Sequence, residues 1–117
     1  MSRLTTHVLD TANGRAAAGM KLEFAVLEGE RWRTLKTLQT NADGRTDEPL
    51  LAGAAMKAGE YRIVFHVAEY FSRAGANLPD PPFLDRVPLR FGIADPSQHY
   101  HVPLLCSPWS YGTYRGS

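Results

Sequence analysis

The sequence has a single cysteine, Cys106, so no disulfide can form within the chain. Cys106 lies in an apolar run, and no neighbouring residue offers to stabilise a thiolate. It therefore reads as a small buried hydrophobe rather than a nucleophile. Charge of one sign is also missing. Thirteen basic residues face twelve acidic ones, for a net charge of +1. That balance gives no basic stripe for nucleic acid or an anionic membrane. No apolar run approaches the ~20 residues of a membrane-spanning helix. Six residues precede His7 of the first motif, too few for a secretory leader. The closing Tyr114-Arg115-Gly116-Ser117 is not a peroxisomal address, so a cytoplasmic location is expected. The serine-hydrolase elbow, the P-loop and the dinucleotide fingerprint are all absent.

What is present is period-two alternation, the pattern of half-buried strands. Met20, Leu22, Phe24 and Val26 alternate with Lys21, Glu23 and Ala25. The same rhythm recurs in Tyr61–Val67, Val87–Ile93 and His99–Leu104, with Tyr100, Val102 and Leu104 on the core side of the last. Further strands are expected at Leu4–Asp10, Arg31–Thr40, Gly44–Thr46 and Ser110–Tyr114. Turn signals such as Asn13-Gly14, Glu28-Gly29-Glu30 and Asn41-Ala42-Asp43-Gly44 separate them. Many short strands between such turns predict a sandwich or barrel. One helix is expected at Ala68–Ala76. Glu48–Lys57 holds helix formers as well, although Pro49 and Gly53 oppose a helix there. Pro88 and Pro103 belong at sheet edges, or where the ladder needs no N–H. Hydrophobic residues make up 44% and charged residues 21%, as in an ordinary folded domain. Residues 1–117 read as one domain.

The four histidines are His7, His66, His99 and His101. His99 and His101 are two apart on a strand pattern, so both face away from the core side. Zinc is one reading of that pair, with His7 as a third ligand. No cysteine cluster, His-Glu-x-x-His helix or carboxylate at motif spacing joins them. A neutral imidazole acting as general base is the other reading. An arginine such as Arg45, in the Asp43-Gly44-Arg45 turn, can hold an anion and stabilise developing negative charge.

Three segments resemble a known family. They are Thr5-Thr6-His7-Val8-Leu9-Asp10 with Gly14-Arg15 and Ala17; Thr40-Asn41-Ala42-Asp43-Gly44-Arg45; and His99-Tyr100-His101-Val102-Pro103-Leu104-Leu105 with Ser107-Pro108 and the terminal Tyr114-Arg115-Gly116-Ser117. In order and spacing the set is similar to the transthyretin-related 5-hydroxyisourate hydrolases, over essentially the whole chain. The two histidine-bearing signatures, Arg45 and the terminal tetrapeptide separate that branch from the hormone carrier transthyretin.

The resemblance implies an all-β, transthyretin-like sandwich of two four-stranded sheets with one short helix. It implies a homotetramer, a dimer of dimers, with sites in the channel between dimers. It implies hydrolysis of 5-hydroxyisourate to 2-oxo-4-hydroxy-4-carboxy-5-ureidoimidazoline, on the way from urate to S-allantoin, with neither metal nor organic cofactor. Carried over by position, His7, Arg45 and His101 are the expected catalytic residues. His99, Tyr114, Arg115, Gly116 and Ser117 are expected to complete the substrate pocket. Ala16 stands where the family often has proline, and Gly112 where it often has serine. The competing expectation is a transthyretin-like carrier of a small ligand that performs no chemistry.

Overall fold

The alternating segments form strands, and the strands stack their apolar faces as two sheets. The structure, a computed structural model, describes residues 2–117. Its elements are β1 (Arg3–Asp10), β2 (Arg15–Ala16), β3 (Lys21–Glu28), β4 (Arg31–Gln39), β5 (Leu51–Ala52), β6 (Gly59–His66), α1 (Val67–Arg73), β7 (Arg86–Ile93), β8 (Tyr100–Cys106) and β9 (Tyr111–Thr113). One sheet has the order β4-β3-β6-β7, and the other β2-β1-β8-β9 with β5 also pairing to β1. This is the expected two-sheet sandwich, with β5 as a small addition to one edge.

The core lies between the sheets. Leu4 and Val8 of β1 and Tyr100, Val102 and Leu104 of β8 meet Leu22, Phe24, Ile63, Phe65, Val87 and Leu89 from the facing sheet. Phe24 stacks on Tyr61 at 5.6 Å, and Tyr61 on Phe91 at 6.1 Å. Each fully buried side chain of this size contributes about 1.5–3 kcal/mol. Cys106 is buried with them, and burial pushes its thiol up to about 12, which fits a packing role.

The edge of β1 is built in pieces. β2 pairs Leu9 and Asp10, a single bridge joins Arg45 to His7, and β5 pairs Arg3 and Leu4. The strand expected at Gly44–Thr46 is thus one bridging residue. The helix considered for Glu48–Lys57 does not form. Its residues supply β5 and a 3-10 turn at Gly53–Ala55, where Gly53 has φ +55°. Helix propensity there yields to pairing with β1, a tertiary override of a weak local preference.

Pro88 sits on the edge strand β7. Pro103 sits on β8, which is interior, and there the second expectation applies. It has no N–H to give, and its carbonyl accepts from Thr113 Oγ1 at 2.7 Å. Helix α1 begins at Val67 and ends at Arg73, shorter than the expected Ala68–Ala76. It buries Val67, Ala68, Tyr70 and Phe71 against the sandwich.

Tyr70 donates its hydroxyl proton to Asp10 Oδ2 at 2.8 Å and so ties α1 to the end of β1. Asp10 is buried, and burial opposes its charge. Hydrogen bonds from Asn13, Tyr70 and the local backbone together outweigh that and hold its pKa below the ordinary carboxylate value. Replacing Tyr70 with Phe should therefore lower stability by about 1–3 kcal/mol at neutral pH. The stabilising effect of a depressed carboxylate is present above the unfolded pKa and disappears as pH falls through the folded one. The gap between the two proteins in urea melts should accordingly narrow in acid. A gap that is constant with pH would show that the bond does not depend on Asp10 being ionised.

Candidate active site

Three backbone pairings converge on one face of β1 and β8. The two strands run parallel, with Thr5 opposite His101 and His7 opposite Pro103. Leu4, Thr6 and Val8 point into the core, so Thr5 and His7 point away from it. His101 points the same way, between buried Tyr100 and Val102. The rings of His7 and His101 are 6.5 Å apart between centroids.

Arg45 reaches this face through a tight turn. Asn41 Oδ1 accepts from the backbone N–H groups of Asp43 and Arg45, and Asn41 N–H donates to Arg45 O at 2.7 Å. Gly44 closes the turn at φ +75°. A Cβ there would also run into the Val8 carbonyl, so only glycine fits.

The chain terminus returns to the same place. Beyond β9 the chain keeps its antiparallel register along β8, and Gly116 bridges His101 by donating its N–H to His101 O at 2.7 Å. Arg45, His99, His101 and Ser117 then line one hollow of about 380 Å³, together with Arg3, Thr5, Thr6 and the 46–49 segment. His99 lies just ahead of β8 rather than on it, and still borders the hollow.

The other expected residues do not line this hollow in the single chain. His7 does not line the hollow, although it bridges to Arg45 and its ring lies 6.5 Å from that of His101. Tyr114 and Arg115 line a separate, more apolar groove with Leu89, Phe91 and Tyr100. Arg115 places its guanidinium 4.1 Å above the Tyr100 ring and donates to Gln98 Oε1 at 2.9 Å and His99 O at 3.2 Å. A hollow of about 440 Å³ between Arg15, Tyr70 and Arg73 contains no histidine or other candidate base.

Both site histidines are held below their ordinary pKa. For His101 the causes are burial, then the charges of Arg45, His7 and His99, opposed by a hydrogen bond to the Thr5 backbone. For His7 they are burial and then Arg45, opposed by Asp43. At neutral pH both imidazoles are therefore predominantly neutral, as a general base must be. Among the described residues no three His, Cys, Asp or Glu side chains converge in a way that could hold a metal ion. Among the described residues no helix is long and apolar enough to cross a membrane.

Residues 4–116 match the profile of the HIUase/Transthyretin family. The chain belongs to that family. It is 59% identical to 5-hydroxyisourate hydrolase 2 of Rhizobium meliloti (strain 1021), over 98% of this chain and 96% of that one. It is 54% identical to the 5-hydroxyisourate hydrolase of Ralstonia nicotianae, over the full length of both. Among solved structures, (S)-allantoin synthase superposes with a TM-score of 0.94 at 46% identity. The match covers 99% of this chain but only 44% of that one. Sea bream transthyretin in complex with thyroxine superposes at 0.86 with 27% identity, over 97% and 94% of the two chains. The fold is thus shared across the family, whereas the histidine-bearing hollow is a matter of particular side chains.

Arg3 was not singled out by the sequence, and Thr5 entered only as the first residue of a signature, with no role of its own. An exposed arginine and a strand threonine are common, and only the β1–β8 register brings them beside His101. The effect of the Arg45 charge yields a direct check. Replacing Arg45 with Gln should raise the pKa of both His7 and His101, read by NMR titration of their ring protons. If His101 does not move in that variant, Arg45 does not act on it electrostatically.

Proposed function

We propose that the chain is a metal-independent 5-hydroxyisourate hydrolase, with His101 as general base and Arg45 as the anion-binding and charge-stabilising group. The observation that carries this reading is the single hollow shared by Arg45, His99, His101 and Ser117. Neutral His101 takes a proton from a water, and that water attacks the ring carbonyl at the bond to be broken. The carbonyl becomes a tetrahedral oxyanion, and Arg45 offers it a charged, planar hydrogen-bond donor. The oxyanion collapses, the ring C–N bond breaks, and the departing nitrogen recovers a proton from the His101 imidazolium. The product is the ring-opened carboxylate 2-oxo-4-hydroxy-4-carboxy-5-ureidoimidazoline. General-base help of this kind supplies about 100- to 10,000-fold. His7, its ring 6.5 Å from that of His101, helps to keep that ring neutral. His99, Gly116 and Ser117 shape the substrate pocket, and Tyr114 and Arg115 join it once chains assemble.

The assembly in this reading is a cytoplasmic homotetramer. Its support is the surface of the single chain, where Phe83, Trp109, Tyr111 and Tyr114 are large and exposed. Edge strands β7 and β9 are also uncovered. A tag fused after Ser117 should crowd the pocket and reduce turnover. Light scattering that finds only monomer would remove the shared channel from this reading.

The deciding experiment is an ultraviolet time course. Urate and uricase generate 5-hydroxyisourate in the cuvette, and the purified protein is added with and without a chelator. Accelerated decay that survives chelation and disappears in His101→Ala is the expected result. Arg45→Lys keeps the charge without the planar fork and should lose on the order of 100-fold. No acceleration from a folded protein would favour the carrier reading, and loss on chelation would bring back zinc.

A further inference from the structure

His101 has two edges, and the structure holds both. Thr5 is its partner across the parallel ladder, and the two side chains stand together on the face turned from the core. The Thr5 hydroxyl is hydrogen-bonded to Nδ1 at 2.8 Å. At the opposite ring edge lies Gly116. A Cβ built there would be 2.6 Å from Cδ2 and 3.2 Å from Cγ of His101. The absence of a side chain at Gly116 therefore lets the terminus lie flat against the ring. Its N–H fixes the His101 backbone at the same time.

These contacts tell apart the two orientations of the ring. Turning it by half a rotation about its Cβ–Cγ bond would put a C–H against the Thr5 hydroxyl and Nδ1 against Gly116. Only the observed orientation gives Nδ1 a partner. A threonine hydroxyl can accept as well as donate, so Thr5 can take a hydrogen bond from a proton on Nδ1.

We propose that Thr5 is a positioning residue for the hydrolysis. It accepts from Nδ1–H and fixes the tautomer in which Nε2 keeps its lone pair for the water, while the Gly116 side offers the flipped ring no partner for Nδ1. Thr5 need not touch substrate. It acts through His101, as the hydrogen bond to one ring nitrogen sets what the other can do. The charged and titratable groups around that ring are Arg45 from the turn, His7 from β1 and His99 ahead of β8. None of these accepts a hydrogen bond from Nδ1 in the structure.

The inference rests on the hydrolase reading, and two variants with two readouts test it. Thr5→Val keeps the shape of the side chain and removes the hydroxyl. Thr5→Ser keeps the hydroxyl. We expect kcat to fall about 10- to 100-fold in Thr5→Val, as for a misaligned reacting group. KM should stay within about twofold, since the lost interaction serves the transition state. Thr5→Ser should recover most of the rate. Nitrogen-15 NMR of the His101 ring should show the Nδ1–H tautomer in the unaltered protein and in Thr5→Ser, and a tautomer mixture in Thr5→Val. Wild-type kcat in Thr5→Val, equal losses in both variants, or an Nε2–H ring in the unaltered protein would each overturn the proposal. If the unaltered protein does not hydrolyse 5-hydroxyisourate, the functional reading fails instead, and the ring spectra still report on the Thr5 bond.

Discussion

The parallel pairing of β1 with β8 is the constraint on which the rest depends. It makes β1 an interior strand, so its second edge needs partners too, and three separate pieces of chain provide them. One of those pieces is Arg45. The same pairing sets Thr5 against His101 and leaves His7 one step further along the strand. A slip of one residue would turn His7 into the core and Val8 out of it. An unpaired buried imidazole and an exposed valine would both penalise that register. Apolar burial and the geometry of the site thus select the same alignment.

Local chemistry then refines what the register brings together. Asn41 and Gly44 shape the turn that delivers Arg45, and each does so by a property of one residue. Asn41 supplies a side-chain acceptor for two backbone donors. Gly44 supplies a left-handed backbone at a point where any Cβ would meet Val8 O. The terminus is positioned by continuing the β9 ladder. Pro103 lacks the N–H to sustain a regular ladder opposite Tyr114, so the named strand stops at Thr113. Pairing resumes at Gly116, the residue whose small size the His101 ring requires.

Much of this was legible in the sequence, and the remainder was not, for identifiable reasons. Alternation gave the core side of His99–Leu104 correctly, because burial of Tyr100, Val102 and Leu104 is a one-strand property. The Asn41–Gly44 turn was legible because Asn, Asp and Gly act locally. Which strand pairs with which is a two-strand property that alternation does not encode. That is why Thr5 had no role until β8 was set beside β1. The Glu48–Lys57 segment shows the same limit in reverse, since its helix formers lost to an edge of β1 that no local pattern announces. Arg115 is a third case. Its stacking on Tyr100 depends on where the terminus crosses β8, and the motif says only that an arginine is there.

Arg45 influences His101 in two ways that oppose each other usefully. In the free protein its charge lowers the affinity of His101 for a proton, in the same direction as burial. That keeps the imidazole neutral and ready, but it also weakens it as a base. An anionic substrate bound against Arg45 offsets that charge, and the affinity of His101 for a proton then rises. The base thus becomes stronger when the molecule to be hydrolysed is in position. As the oxyanion forms beside Arg45, the imidazolium on His101 gains a favourable partner in turn. The 6.5 Å spacing of His7 and His101 adds a further restraint, because two charged rings at that distance repel and only one readily holds the proton. A site with one base, one permanent cation and a second ring that resists charging directs the proton of the attacking water to a single nitrogen.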